Sequence, residues 1–107
     1  MSDSNSQPVF VIVRGRARPE KIEEAKLALM KIIDPIRANP DCLEFRVYQD
    51  QHDPQTFVLS ERWVSEQALF AHGQRDYMTE YHAQKDTLFE TLGGEFLVEI
   101  SRPDDAL

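Results

Sequence analysis

Apolar and polar side chains alternate from Phe57 to Trp63. Phe57, Leu59, Glu61 and Trp63 fall on one face of the strand this predicts, and Val58, Ser60 and Arg62 on the other. Past Trp63 the period changes. Ser65 offers an N-cap oxygen, Glu66 places negative charge in a first helical turn, and Ala68, Leu69 and His72 follow at helical spacing. A strand therefore runs directly into a helix. Each brings one ionisable residue, Glu61 and His72, onto an otherwise apolar face.

The rest of the chain reads by the same two periods. The β-branched run Val9-Phe10-Val11-Ile12-Val13 predicts a first strand over 8–16. Pro19 suits a helix start. Ile22, Ala25, Leu29, Ile32, Ile33 and Ile36 then form one stripe of a helix over 19–37, whose last turn Pro35 should weaken. Ala38-Asn39-Pro40-Asp41 is a turn. A second strand, 42–50, places Leu43, Phe45 and Val47 on one face and Glu44, Arg46 and Tyr48 on the other. Gln51-His52-Asp53-Pro54 turns the chain into the strand 56–63 as a hairpin.

The second helical region is interrupted at Gly73, with Asp76 as a cap for a fresh start. Tyr77, Tyr81, Leu88 and Phe89 give its stripe, with Met78 and Lys85 alongside. Leu92-Gly93-Gly94 predicts a glycine helix end, and a last strand follows over 95–102. Residues 1–7 read as a disordered tail, 8–102 as one domain and 103–107 as a frayed end. The order β-α-β-β-α-β predicts an α+β, ferredoxin-like fold, with two helices on one face of a four-stranded antiparallel sheet. The other face, with Glu44, Arg46, Tyr48, Arg62 and Glu99, is either solvated or paired with a second copy.

With 107 residues the chain makes one domain with a small core. Its net charge of -7 argues against nucleic acid and against an anionic membrane surface as partners. The single cysteine, Cys42, rules out an internal disulfide, and no CxxC metal motif is present; both fit a reducing, cytoplasmic setting. The polar N-terminus does not read as a signal peptide, and no apolar run approaches a membrane span.

Two residues carry the candidate chemistry. His72 is either a helix-end histidine bonded to backbone, or a general base or proton shuttle, since imidazole titrates near neutrality. Glu61 must be paired or raise its pKa on an apolar face. It is either a structural ion-pair partner or the carboxylate that orients His72. Trp63 reads as core before substrate platform. Tyr77 and Tyr81, at i and i+4, read as packing residues that can also line an aromatic pocket.

The string Asn39-Pro40-Asp41-Cys42-Leu43-Glu44-Phe45-Arg46-Val47-Tyr48, then Asp53-Pro54 and Phe57, then Glu61-Arg62-Trp63-x-Ser65-x-x-Ala68-Leu69-x-x-His72, resembles the antibiotic biosynthesis monooxygenase family. Asp41 stands where that family usually has glycine, a departure in a turn. The resemblance implies a dimeric α+β barrel and oxygenation of a quinol or polycyclic aromatic substrate by O2 with no cofactor and no metal. His72 would handle the proton with Glu61 in support, and Trp63, Tyr77, Met78 and Tyr81 would shape an aromatic cavity. Relatives without oxygenase activity, which bind small molecules, isomerise them or serve in stress responses, are the alternative. Haem-degrading relatives carry Asn on the first strand and Trp and His on the second helix; Val13, His72 and His82 stand near those positions here.

Overall fold

The computed structural model describes residues 7–101, so nearly all of the two tails expected at 1–7 and 103–107 lies outside the described residues. Four strands, β1 (Val9–Ala17), β2 (Cys42–Gln49), β3 (Thr56–Trp63) and β4 (Phe89–Leu97), form one sheet in the order β2-β3-β1-β4, every neighbouring pair antiparallel. Helix α1 (Ile22–Arg37) follows β1 after a short 3-10 turn at Pro19–Lys21. Between β3 and β4 the chain makes α2 (Glu66–Gly73), a 3-10 turn at Asp76–Met78, and α3 (Thr79–Leu88). This is the ferredoxin-like α+β arrangement that the period changes predict. Among the described residues no helix is long and apolar enough to cross a membrane.

The helices cover the face that carries Phe45, Phe57, Leu59, Glu61 and Trp63. Against it α1 lays Ala25, Leu29, Ile32 and Ile36, all buried, and Ile22 and Ile33 pack at the margin. The alternation in β3 is complete: each inward residue is buried and none of the outward ones is. In register, Glu61 sits between Phe45 of β2 and Val11 of β1, and Trp63 between Cys42 and Val9. The opposite face carries rows such as Glu44–Arg62–Phe10–Leu97 and Tyr48–Val58–Arg14–Gly93. Glu99, expected on that face, lies beyond the end of β4.

Four expectations are corrected. Pro35 does not loosen α1, which continues to Arg37; Ala38 N–H bonds Asp34 O and Asn39 N–H bonds Ile36 O, so the last turn is closed from beyond it. Leu43 does not share the inward face of Phe45. The β2–β3 register shifts between Cys42 and Glu44, and the bulge leaves Leu43 half exposed. Asp76 opens the 3-10 turn but does not cap it: Arg75 occupies the cap position, without a side-chain hydrogen bond. Gly93 and Gly94 do not end a helix. α3 stops at Leu88, β4 begins at Phe89, and the two glycines pair with Arg14 and Val13 inside β4. Neither has positive φ. β4 is an edge strand, where glycine is tolerated because half of the backbone bonding is to solvent and not to a neighbour. The strand ends at Leu97, and Val98 and Ile100 extend past it, strongly exposed.

Candidate functional site

The end of β3 and the start of α2 build the site. Val64 N–H bonds the carbonyl of Asp41, tying the strand end to the α1–β2 turn. Ser65 then caps α2 as its position predicts: its Oγ accepts the Ala68 N–H at 3.1 Å. The cap sets the helical phase, so Ala68 and His72, four residues apart, both turn inward and are buried. His72 arrives over Trp63. The imidazole and indole rings stack with centroids 4.4 Å apart and 28° between planes. Trp63 is fully buried, and its Nε1–H donates to Glu61 Oε1 at 3.0 Å.

Glu61 therefore reaches the site through Trp63. Among the described residues it makes no hydrogen bond to His72. The ring nitrogen that a carboxylate would hold, Nδ1, lies 2.8 Å from the Tyr77 hydroxyl. That hydroxyl also accepts the Asn39 Nδ2–H at 3.1 Å, and Asn39 Oδ1 in turn accepts the Asp41 N–H at 2.9 Å. The expectation that Glu61 orients His72 is thus replaced by a chain Asp41–Asn39–Tyr77–His72. Asn39, buried at 8% exposure, is the residue that sequence reasoning missed. It read as part of a turn, and nothing in the local pattern points from residue 39 to residue 77.

Burial tunes the titratable groups in opposite directions. Desolvation lowers the pKa of His72 from 6.5 to about 4, with His82 adding a smaller repulsion, so the ring is neutral at pH 7. Desolvation raises the Glu61 pKa, against the opposing Trp63 hydrogen bond. Tyr81, also buried, is pushed from 10.0 to about 12 by desolvation and by the Glu61 charge. Loss of solvent likewise pushes the Cys42 thiol up, away from the thiolate form.

Of the residues expected to shape an aromatic cavity, Trp63, Met78 and Tyr81 belong to the packed core, and Tyr77 packs against it. Tyr77 and Tyr81 do share a cleft of about 260 Å³ between α1 and the start of α3, with Ala28, Ile32 and Pro35 in its walls. The Lys31–Glu80 ion pair, 2.9 Å long, also joins α1 to α3. On the β4 side, Phe96 continues the row Glu61–Val11, and its ring tilts against Phe70 of α2 at 6.2 Å; both rings are more than half exposed. His82 is exposed, its Nε2 3.1 Å from the Gly73 carbonyl, and His52 is exposed in the hairpin turn.

Residues 8–84 match the family model described as antibiotic biosynthesis monooxygenase. The solved structure of Rv0793 from Mycobacterium tuberculosis superposes with a TM-score of 0.84 at 28% identity, covering 92% of this chain and 100% of that one. PA3566 from Pseudomonas aeruginosa gives 0.85 at 25% identity, covering 91% and 98%. An uncharacterized protein of Synechocystis, sll1783, is 30% identical over 74 residues, which are 69% of this chain. The chain spans 50% of that relative's length.

Proposed function

This chain belongs to the antibiotic biosynthesis monooxygenase family, and we propose that it oxygenates a quinol or a related polycyclic aromatic with O2, using its own side chains and no cofactor. The observation that carries this reading is the buried Trp63–His72 stack with a second ionisable group, Glu61, on the same apolar face. The ring surface open to a flat aromatic substrate is that of Phe70 and Phe96, both more than half exposed, with Phe96 in the row that runs through Val11 to Glu61. The protein takes a proton from the substrate, and the resulting electron-rich anion reduces O2. One oxygen atom is retained on the substrate carbon and the other leaves as water. Of the two ionisable groups, Glu61 has the raised proton affinity and His72 the lowered one. The base role therefore passes to Glu61, and His72 serves as its polar counterpart on the substrate.

A second copy of the chain completes the same reading. The uncovered sheet face carries Phe10, Ile12 and Val58, partly shielded, and Tyr48 and Leu97, exposed, among Arg14, Arg62 and Glu44. Two such faces, each with apolar residues between both signs of charge, complement one another about a twofold axis and form a dimeric α+β barrel.

The test of activity is oxygen uptake by metal-free protein against a panel of quinols and anthrones. Uptake that falls by roughly a hundredfold or more in both Glu61→Gln and His72→Ala supports the assignment of base and donor. The same uptake in wild type and His72→Ala removes His72 from the chemistry. No uptake across the panel, with quinones still binding, favours a binding role for the protein.

A further inference from the structure

Of the three hydrogen bonds running into His72, two have a direction fixed by atom type, and the third is the one that the tautomer of His72 decides. The Asp41 backbone N–H can only donate, so the Asn39 atom facing it at 2.9 Å is the carbonyl Oδ1. The other Asn39 atom is then the amide nitrogen, which has no lone pair to offer, and it donates to the Tyr77 oxygen at 3.1 Å. Tyr77 is left with one proton of its own. Among the described residues the acceptor within reach is His72 Nδ1 at 2.8 Å. A neutral imidazole that accepts at Nδ1 carries its proton on Nε2. Among the described residues Nε2 has no hydrogen-bond partner.

We infer that Asn39 and Tyr77 are positioning residues that hold His72 in its Nε2–H tautomer, so that it meets the substrate as a hydrogen-bond donor to a ketone or phenolate oxygen. The backbone origin of the series makes the setting rigid. Asn39 is fixed at both ends, its N–H bonding Ile36 O and its carbonyl accepting Cys42 N–H, so its side chain has little freedom to reverse. The stack on Trp63 fixes the plane of the ring in which that proton lies. A donor so placed recognises an aromatic that already carries an oxygen acceptor beside the carbon to be oxidised. A hydrocarbon without such an oxygen is not a ligand. This inference rests on the proposed function only for the identity of the acceptor; the tautomer itself is a property of the free protein.

The experiment is long-range nitrogen–proton NMR on protein labelled with nitrogen-15 at histidine, with His72 assigned by its loss in His72→Gln. The expected spectrum at pH 7 shows a protonated Nε2 and an unprotonated Nδ1. A proton on Nδ1, or on both nitrogens, overturns the inference, whatever the activity. Tyr77→Phe and Asn39→Ala should each release a mixture of tautomers; an unchanged tautomer in folded Tyr77→Phe removes Tyr77 as its cause. The wild-type spectrum decides the tautomer by itself, so the inference stays testable even where a variant does not fold. Where quinol oxidation is measurable, His72→Gln, whose amide nitrogen can donate near the Nε2 position, should keep at least about tenfold more kcat than His72→Ala. Equal loss in both overturns the donor role while leaving the oxygenase reading in place.

Discussion

At the residue scale, the site is a case of burial setting proton affinities through water excluded from charge. His72 and Glu61 lie within one apolar layer, at 6% exposure each, yet their pKa values shift in opposite directions, because desolvation always favours the neutral form: unprotonated for imidazole, protonated for a carboxyl group. The signs dictate opposite pH dependences of stability. His72 has its folded pKa below the unfolded 6.5, so the unfolded chain binds the extra proton as pH falls from 6.5 to about 4. Stability should drop over that window by up to roughly 3 kcal/mol, and His72→Phe should flatten the slope. Glu61 has its folded pKa above the unfolded 4.5, so stability is lost as pH rises from 4.5 through the raised value. Glu61→Gln keeps an oxygen for the Trp63 N–H and removes the buried charge. Urea unfolding at a series of pH values should show that variant gaining on wild type toward neutral pH. A variant that instead loses ground at pH 7 would mean that the charge is stabilised by a partner.

At the scale of elements, two small features carry the placement of the site. The Ser65 hydroxyl starts α2 at the one residue that brings His72 over Trp63. Ser65→Ala should cost about 1 kcal/mol in thermal or urea unfolding. It should also weaken the His72–Tyr77 bond, read as a shift in the His72 NMR signals. Gly15 is the other. It pairs with Phe57 and Leu92, and a Cβ there would stand 2.8 Å from the Leu92 side chain and 3.2 Å from the Phe89 ring. Leu92 is partly exposed and can give way, but Phe89 is buried against Phe57 in an edge-to-face pair. Gly15→Ala should therefore destabilise by roughly 1–2 kcal/mol in urea unfolding, the cost of overpacking at the start of β4. Arg16 closes the same corner, joining β1 to the hairpin turn through Asp53 at 2.6 Å and to β4 through Glu90 at 3.0 Å.

At the scale of the whole molecule, the described residues cover one side of the four-stranded sheet with helices and leave an apolar-and-charged face on the other. The proposed twofold dimer predicts a mass twice that of one chain by light scattering at micromolar concentration. It also predicts that Val58→Lys, central on the uncovered face beside Tyr48 and Arg14, yields monomers. A wild-type protein that elutes as a monomer at those concentrations would leave the barrel without its second half.

The sequence by itself determined the order of strands and helices, the boundaries of β3, the Ser65 cap and the inward stripe of α1. Each is a matter of local period and capping chemistry, where neighbours in the chain are neighbours in space. It also placed Glu61 and His72 on inward faces. Tertiary structure alone decided what those two residues touch. The Trp63 indole lies between a carboxylate and an imidazole that pattern reading joined directly, and Asn39 acts on His72 through Tyr77 across residues far apart in sequence. The fate of Gly93 and Gly94 was likewise undetermined locally. A pair of glycines ends a helix as readily as it lines an edge strand, and only the register against β1 selects between them. Periodicity reports which side of an element faces inward; it carries no information on which other element is waiting there, and the chemistry of this site is made of those second elements.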